Sequence, residues 1–273
     1  MQRSRWFLLV PALAAAGALG AHLLAAAAFR RRVNRLAAGL DGAGGGEADP
    51  ALPAIVQAFV RRAVGEGAAP GTVRLQQCAE VRAHPDAPWR RHTAEEIVGV
   101  HETGFVWLAR LRLAPLLSLR ILDAYVGGEG VIEARLFGSL RLSRTASPQV
   151  GRGELMRYLA ELAWAPHAIL HNPRLHWREI DADTVEVSAD SEDGPARVRL
   201  SFENGDLARI EADDRPRAVG GVTIPTGWRG RFFDYREIGG CRIPTRAEAS
   251  WLLDEGPFAC WRGTVTAFAA EPA

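Results

Sequence analysis

"ARVRLSFENGD" (196–206) decides the fold class. Val198, Leu200 and Phe202 alternate with Arg197, Arg199 and Ser201, so the segment is apolar on one face and polar on the other, with a period of two. The run ends in Glu203-Asn204-Gly205-Asp206. Asn-Gly at the tip accepts the left-handed backbone of a tight turn, which makes the stretch one arm of an antiparallel hairpin. A strand buried on one face belongs to an antiparallel sheet.

The same signature repeats outward in both directions. In "VRLQQCAEVRA" (73–83), Val73, Leu75, Ala79 and Val81 alternate with Arg74, Gln76, Glu80 and Arg82. In "FVWLARLRL" (105–113), Phe105, Trp107, Ala109, Leu111 and Leu113 share a face, and Arg110 and Arg112 lie on the other. "IGGC" (238–241) supplies a Gly-Gly hairpin turn. Between Thr72 and Ala270 about ten or eleven strands are expected by these criteria, in a meander rather than a βαβ chain. Glu95 and Glu96, adjacent in an alternating run, are placed on opposite sides of the sheet.

One helix interrupts the strands. "GELMRYLAELAWAP" (153–166) sets Leu155, Tyr158, Leu159 and Leu162 on one face and Glu154, Arg157 and Glu161 on the other. Pro166 breaks it or restarts it, and Asn172-Pro173 ends any helical turn beyond that point. A shorter amphipathic helix is expected in "AIVQAFVRRAV" (54–64).

The N-terminus has another character. From Trp6 to Phe29 no charge appears, and the run is flanked by Arg3 and Arg5 before and by Arg30, Arg31, Arg32 and Arg35 after. As a helix it would extend about 36 Å, enough to cross a bilayer. The length and the dense arginines behind it favour an uncleaved anchor over a signal peptide. The expected organisation is an anchor at 1–38, a Gly/Ala/Pro-rich linker at 39–53 and a β-rich domain at 54–273. Its place is then a membrane, crossed once. The flanking arginines lean weakly toward a cytoplasmic C-terminal domain.

Composition excludes some functions. The 33 basic side chains, all arginine, nearly cancel 32 acidic ones, leaving net charge +1. That balance argues against a nucleic-acid partner, which needs a basic surface. Cys78, Cys241 and Cys260 are widely spaced and form no zinc knuckle. Buried free thiols are the default, with a Cys241–Cys260 bridge open only outside the cytoplasm. No G-x-S-x-G, P-loop, dinucleotide fingerprint or EF-hand loop occurs.

Two groups could carry chemistry. "WAPHAILHNPRLHW" (164–177) holds His167, His171 and His176, but no glutamate stands between the first two to act as base, and prolines break the helix. Asp234 and Glu248 could form an acid–base pair, although cross-strand pairing of such carboxylates with arginine is the commoner role. No metal, cofactor or catalytic residue is therefore expected.

"GWRGRFFDYREIGGCRIPTRAEASWLLDEGPFACWRGTV" (227–265) carries a resemblance. Its Trp228, Gly230, Asp234, Tyr235, Arg236, Gly239, Gly240, Arg242, Pro244, Thr245, Arg246 and Glu248, with the later Trp261, Arg262 and Gly263, resemble an uncharacterised bacterial family known only as a domain of unknown function. "GFVWLARLRLAP", "GELMRYLAELAW" and "TAEE" are similar too, extending the likeness over about residues 52–270. More distantly, the element order and the "DYREIGGCRIP" hairpin resemble the lipoprotein-carrier (LolA-like) half-barrels. That resemblance implies a curved antiparallel sheet whose helices close an apolar cavity for an acyl chain, in carriers that work outside the cytoplasm.

The expectation is thus an α+β, mainly β half-barrel with one or two covering helices behind a transmembrane helix. It binds a lipid-like or other hydrophobic ligand without catalysis. Phe105, Trp107, Leu111, Phe233, Tyr235 and Trp251 are the expected lining, with helix 153–165 as lid. A ligand-free scaffold and, behind it, a hydrolase using Asp234/Glu248 or His167/His171 are the alternatives.

Overall fold

The computed structural model describes residues 3–41, 52–64 and 69–272, with backbone alone for residues 3–15. Two helices come first, α1 (Arg3–Ala38) and α2 (Ala54–Ala63). Six strands come next: β1 (Thr72–Val81), β2 (Arg90–Gly99), β3 (Phe105–Ala114), β4 (Leu117–Val126), β5 (Glu129–Leu136) and β6 (Leu140–Thr145). Then come α3 (Pro148–Ala160), a 3₁₀ turn (Glu161–Ala163) and α4 (Pro166–His171). Seven strands complete the chain: β7 (His176–Glu179), β8 (Thr184–Ala189), β9 (Ala196–Glu203), β10 (Asp206–Val219), β11 (Val222–Ile238), β12 (Cys241–Leu253) and β13 (Gly256–Glu271).

All thirteen strands form one antiparallel sheet, in the order β6-β5-β4-β3-β2-β1-β13-β12-β11-β10-β9-β8-β7. Two meanders are therefore joined in the middle, where β1 pairs with β13. The strand number exceeds the ten or eleven expected. Asn204 and Gly205 at the tip of the β9–β10 hairpin have φ of 54° and 78°, as their turn requires.

The sheet curls into a half-barrel. α3 touches β4 and β5 toward one end of the strand order and β8, β9 and β10 toward the other. A single helix reaches both groups only if the sheet wraps around it. The helix begins at Ser147, whose side chain accepts the Val150 N–H, with Pro148 next in the chain. It ends in the 3₁₀ turn, and Pro166 starts the short α4. Leu155, Tyr158, Leu159 and Leu162 are fully buried among Val73, Leu75, Phe105, Val198 and Leu200. The alternation read from the sequence holds here: Val198, Leu200 and Phe202 face the core, as do Phe105, Trp107, Ala109 and Leu111.

The expected transmembrane helix is not found: among the described residues no helix is long and apolar enough to cross a membrane. The C-terminal half of α1 instead lies on the outer face of the sheet. Phe29 and Val33, with Leu40 just beyond, pack against Val106, Leu122, Ala124 and Val131 in a second, smaller core. Arg32 pairs with the fully buried Glu133, and Arg135 lies 4.8 Å over the Phe29 ring. His22 Nδ1 lies 2.7 Å from the Ser139 hydroxyl. Most of the expected linker, residues 42–51, lies outside the described residues.

Candidate functional site

The half-barrel holds a partly open cavity of about 300 Å³ beside α3. Five tryptophans surround it: Trp107 of β3, Trp164 after the 3₁₀ turn, Trp228 of β11, Trp251 of β12 and Trp261 of β13. Leu111, Ile121 and Phe232 add aliphatic and aromatic wall. Two of the indole N–H groups find partners in the protein rather than in the cavity. Trp107 Nε1 donates to Gln77 Oε1 at 3.0 Å, and Trp164 Nε1 to the Pro244 carbonyl at 2.8 Å. What these two rings offer the cavity is apolar surface.

The two "W-R-G" triplets explain how the rings fit. Trp228 and Gly230 share one face of β11, and Trp261 and Gly263 share one face of β13. A Cβ on Gly230 would lie 3.1 Å from the Trp228 ring, and one on Gly263 only 2.5 Å from the Trp261 ring. Each glycine therefore leaves space for the indole two residues earlier to lie along its own strand. Ala247 and Ala249 of β12, opposite Gly263 and Trp261, continue the small-residue floor.

A buried ionic cluster forms the other wall. Arg157 of α3 pairs with Glu161 at 2.8 Å, Asp123 at 2.8 Å and Glu96 at 3.4 Å. Its guanidinium also lies 4.8 Å from the rings of both Phe105 and Trp107. Gln77 donates a 2.7 Å hydrogen bond to Glu96. Burial opposes the Arg157 charge, but Glu161, Glu96 and Asp123 outweigh it and hold its pKa above the ordinary range. Burial raises the Glu96 carboxyl well above its usual value, with Glu161 adding to the effect, and it raises Asp123 as well. Glu154, one helical turn before Tyr158, is pushed up to about 8 by burial and by Asp123. Such a cluster holds its shape because removing any one partner strands the others.

Arg215 is different. It lines the cavity and makes no ion pair among the described residues. Its guanidinium lies 4.7 Å over the Trp228 ring and 5.7 Å over the Trp251 ring, two residues paired across β11 and β12. A register irregularity in β10 between Ala212 and Arg215 turns both of these residues to the inner face.

The sequence-predicted lining divides. Trp107, Leu111 and Trp251 line the cavity, and Phe105 is fully buried behind it under Arg157. Phe233 and Tyr235 lie elsewhere: Phe233 falls on the outer face by regular alternation with Trp228, Gly230 and Phe232, and β11 then loses that alternation at Asp234, whose φ is 55°. Phe233 and Asp234 both face outward: Phe233 borders an outer groove, and Asp234 pairs with Arg246 at 3.0 Å. Tyr235 turns in, packing on Phe59 of α2 and donating to the Leu207 carbonyl at 2.8 Å. Sequence reasoning missed Trp164, Arg157, Glu161, Asp123 and Arg215 as lining. For the helix residues the signal is present in the sequence, but it has the form of a solvent face.

Other candidate groups disperse. His167 Nε2 lies 4.0 Å from Cys241 Sγ, and burial, helped by His171, lowers its pKa to about 4. The His171 ring is 5.9 Å from that of His101, while His176 is exposed on β7. Among the described residues no group of histidine, cysteine, aspartate or glutamate is arranged to hold a metal. Glu248 stands opposite Arg231 and Arg262 in the sheet register, away from Asp234. The three cysteines are free, and Cys260 lines the cavity.

Among solved structures the chain is similar to a LolA superfamily protein from Nitrosomonas europaea, with 13% identity over 80% of this chain and 93% of that one, at a TM-score of 0.42. It is also similar to a domain from Vibrio parahaemolyticus that carries the name of an outer membrane lipoprotein-sorting protein, with 9% identity over 78% and 89% of the two chains, at a TM-score of 0.44. Likeness of this extent identifies no ligand. No curated protein matches the chain. A family model does match, across residues 47–263, which hold the curled sheet, α3 and both W-R-G triplets: the chain belongs to DUF6544, a family of unknown function.

Proposed function

We propose that this protein binds a lipid-like or other hydrophobic small molecule in its tryptophan-lined cavity, without catalysing a reaction, at the cytoplasmic membrane of a bacterium. The observation that carries the reading is the cavity itself: about 300 Å³ lined by five tryptophans, Leu111, Ile121 and Phe232. That volume lies at the lower end of the range for small-molecule sites, roughly 300–1,000 Å³. Each methylene transferred there from water contributes about 0.8 kcal/mol, so a medium-length acyl chain binds with few polar contacts.

Contact with the membrane is made through α1, along its surface rather than across the bilayer. Leu19, Leu23 and Leu24 leave an exposed apolar face on α1, which supports contact with acyl chains. Because Phe29 and Val33 pack on the sheet, contact through this helix holds the half-barrel close to the bilayer surface rather than on a loose tether.

The test is tryptophan quenching by chain-brominated fatty acids, using the full chain in lipid nanodiscs with empty discs as blank. Saturable quenching is expected. It should disappear in Ala249→Phe, which puts a ring into the cavity floor. Linear quenching across several lipid classes, equal in protein and variant, would overturn the proposal.

A further inference from the structure

Resting on that reading, we infer that the ligand is a single-chain amphiphile with an anionic headgroup, a carboxylate or a phosphate, bound by Arg215. Arg157 and Arg215 both border the cavity, yet only one of them is satisfied. Arg157 has three carboxylate partners and cannot take a fourth without losing one. Arg215 has rings above and beside it and no carboxylate in pairing distance among the described residues. Stacking on Trp228 and Trp251 holds the guanidinium by its faces and leaves its N–H edge for a planar acceptor. A fork of this kind matches a carboxylate or phosphate in two parallel hydrogen bonds.

The irregularity in β10 points the same way. It interrupts regular pairing on both sides of Asp213-Asp214 and directs Arg215 inward. A strand that only needed to cover the core would place an apolar residue there. Asp213 and Asp214 turn instead to Arg199 and Arg152, and so do not neutralise Arg215. Glu154 is its strongest electrostatic counterpart, and burial keeps the Glu154 proton on at neutral pH.

A cationic headgroup finds nothing comparable. Asp123, Glu161 and Glu248 also border the cavity, but Asp123 and Glu161 are engaged by Arg157, and the oxygens they leave unpaired, Asp123 Oδ1 and Glu161 Oε2, are buried atoms. Arg215 is thus a cavity-wall cation with no carboxylate partner among the described residues, whereas Asp123 and Glu161 already have theirs in Arg157.

The experiment compares four probes that share one brominated chain: 11-bromoundecanoate, 11-bromoundecyl phosphate, 11-bromoundecanol and 11-bromoundecyl-trimethylammonium. Binding to the full chain in nanodiscs is read by tryptophan quenching, corrected with empty discs. The two anions should bind about tenfold or more tightly than the alcohol, and the ammonium more weakly than the alcohol. Arg215→Met should erase the advantage of the anions over the alcohol. The comparison in the unaltered protein decides the matter even if Arg215→Met does not fold. Carboxylate and phosphate, as fatty acid and phosphomonoester, are told apart by which of the first two binds more tightly. Equal affinity of anion and alcohol, tighter binding of the ammonium, or an anion preference that survives in a folded Arg215→Met would overturn the headgroup assignment. Failure of all four, the alcohol included, would instead remove the ligand-binding reading beneath it.

Discussion

Strands β1, β3 and β11 to β13 present two concavities, one on each face of the sheet, and both contain arginine. The inner one, of about 300 Å³, has Arg157 and Arg215 among tryptophans. The outer one, about 840 Å³, is bordered by Arg91, Arg110, Arg112, Arg246 and Arg262 with Glu80 and Glu248. In the outer groove, Glu80 accepts from Arg262 at 2.8 Å and from Arg91 at 3.2 Å, in contact with water and salt. In the inner one, Arg157 is held by carboxylates largely removed from water, Glu96 completely so. The same ion pair is thus a weak surface ornament on one face and a structural requirement on the other. Residue type and partner do not determine its worth. Burial does.

The largest effect should come from Arg157→Met, which leaves Glu96, Asp123 and Glu161 buried without a cation. Denaturant unfolding should show a loss of about 3–5 kcal/mol. A cost below about 1 kcal/mol, as expected for a surface pair, would abolish the distinction between the two faces.

Next, Gly263→Ala puts a Cβ 2.5 Å from the Trp261 ring and 2.9 Å from Ala79 Cβ. Overpacking of this kind costs about 1–3 kcal/mol. It should also displace the indole into the cavity, so stability and ligand uptake fall together. A variant that loses neither would remove the space-making role of the W-R-G glycines.

The Glu154 carboxyl sharpens the contrast through pH. Its ordinary value is 4.5 when unfolded and about 8 when folded. Between those values the folded state binds more protons, so this contribution is complete below 4.5 and is lost as pH rises through 8. Melting temperature should decline over that window, and Glu154→Gln should flatten the decline. An unchanged slope in the variant would assign the pH dependence to another group.

The smallest effect belongs outside. Arg262→Ala should cost about 0–1 kcal/mol, and less in high salt. A loss comparable to that of Arg157→Met would show that the outer groove is a built site in its own right.

Local alternation carried much of the fold. It separated Glu95 from Glu96: the first meets Arg74 on the outer face, and the second is fully buried beside Arg157. It also identified Trp107, Leu111 and Trp251 on inner faces. It failed at Asp234, where one left-handed residue reverses the strand's facing, and again between Ala212 and Arg215. Aspartate at positive φ has no signature that a period-two count would register. The helix misleads for a different reason. Glu154, Arg157 and Glu161 form a polar stripe, and polar stripes ordinarily face water. Here the sheet closes around both sides of α3, a long-range fact absent from any local window. The ion-pair partners Glu96 and Asp123 come from strands 61 and 34 residues away.

The join between β1 and β13 has a consequence for synthesis. Each meander can zip up hairpin by hairpin as it leaves the ribosome, since its neighbours in space are neighbours in sequence. The centre of the sheet cannot. Thr72 waits for Glu271, and Val73 for Ala270. Until the last strand is released, β1 and β12 each present an unpaired edge, and the helix that fills the half-barrel has only partial walls. Nascent chains halted before residue 256 should therefore be protease-sensitive and inclined to pair with one another, whereas the completed chain closes its sheet in a single late step.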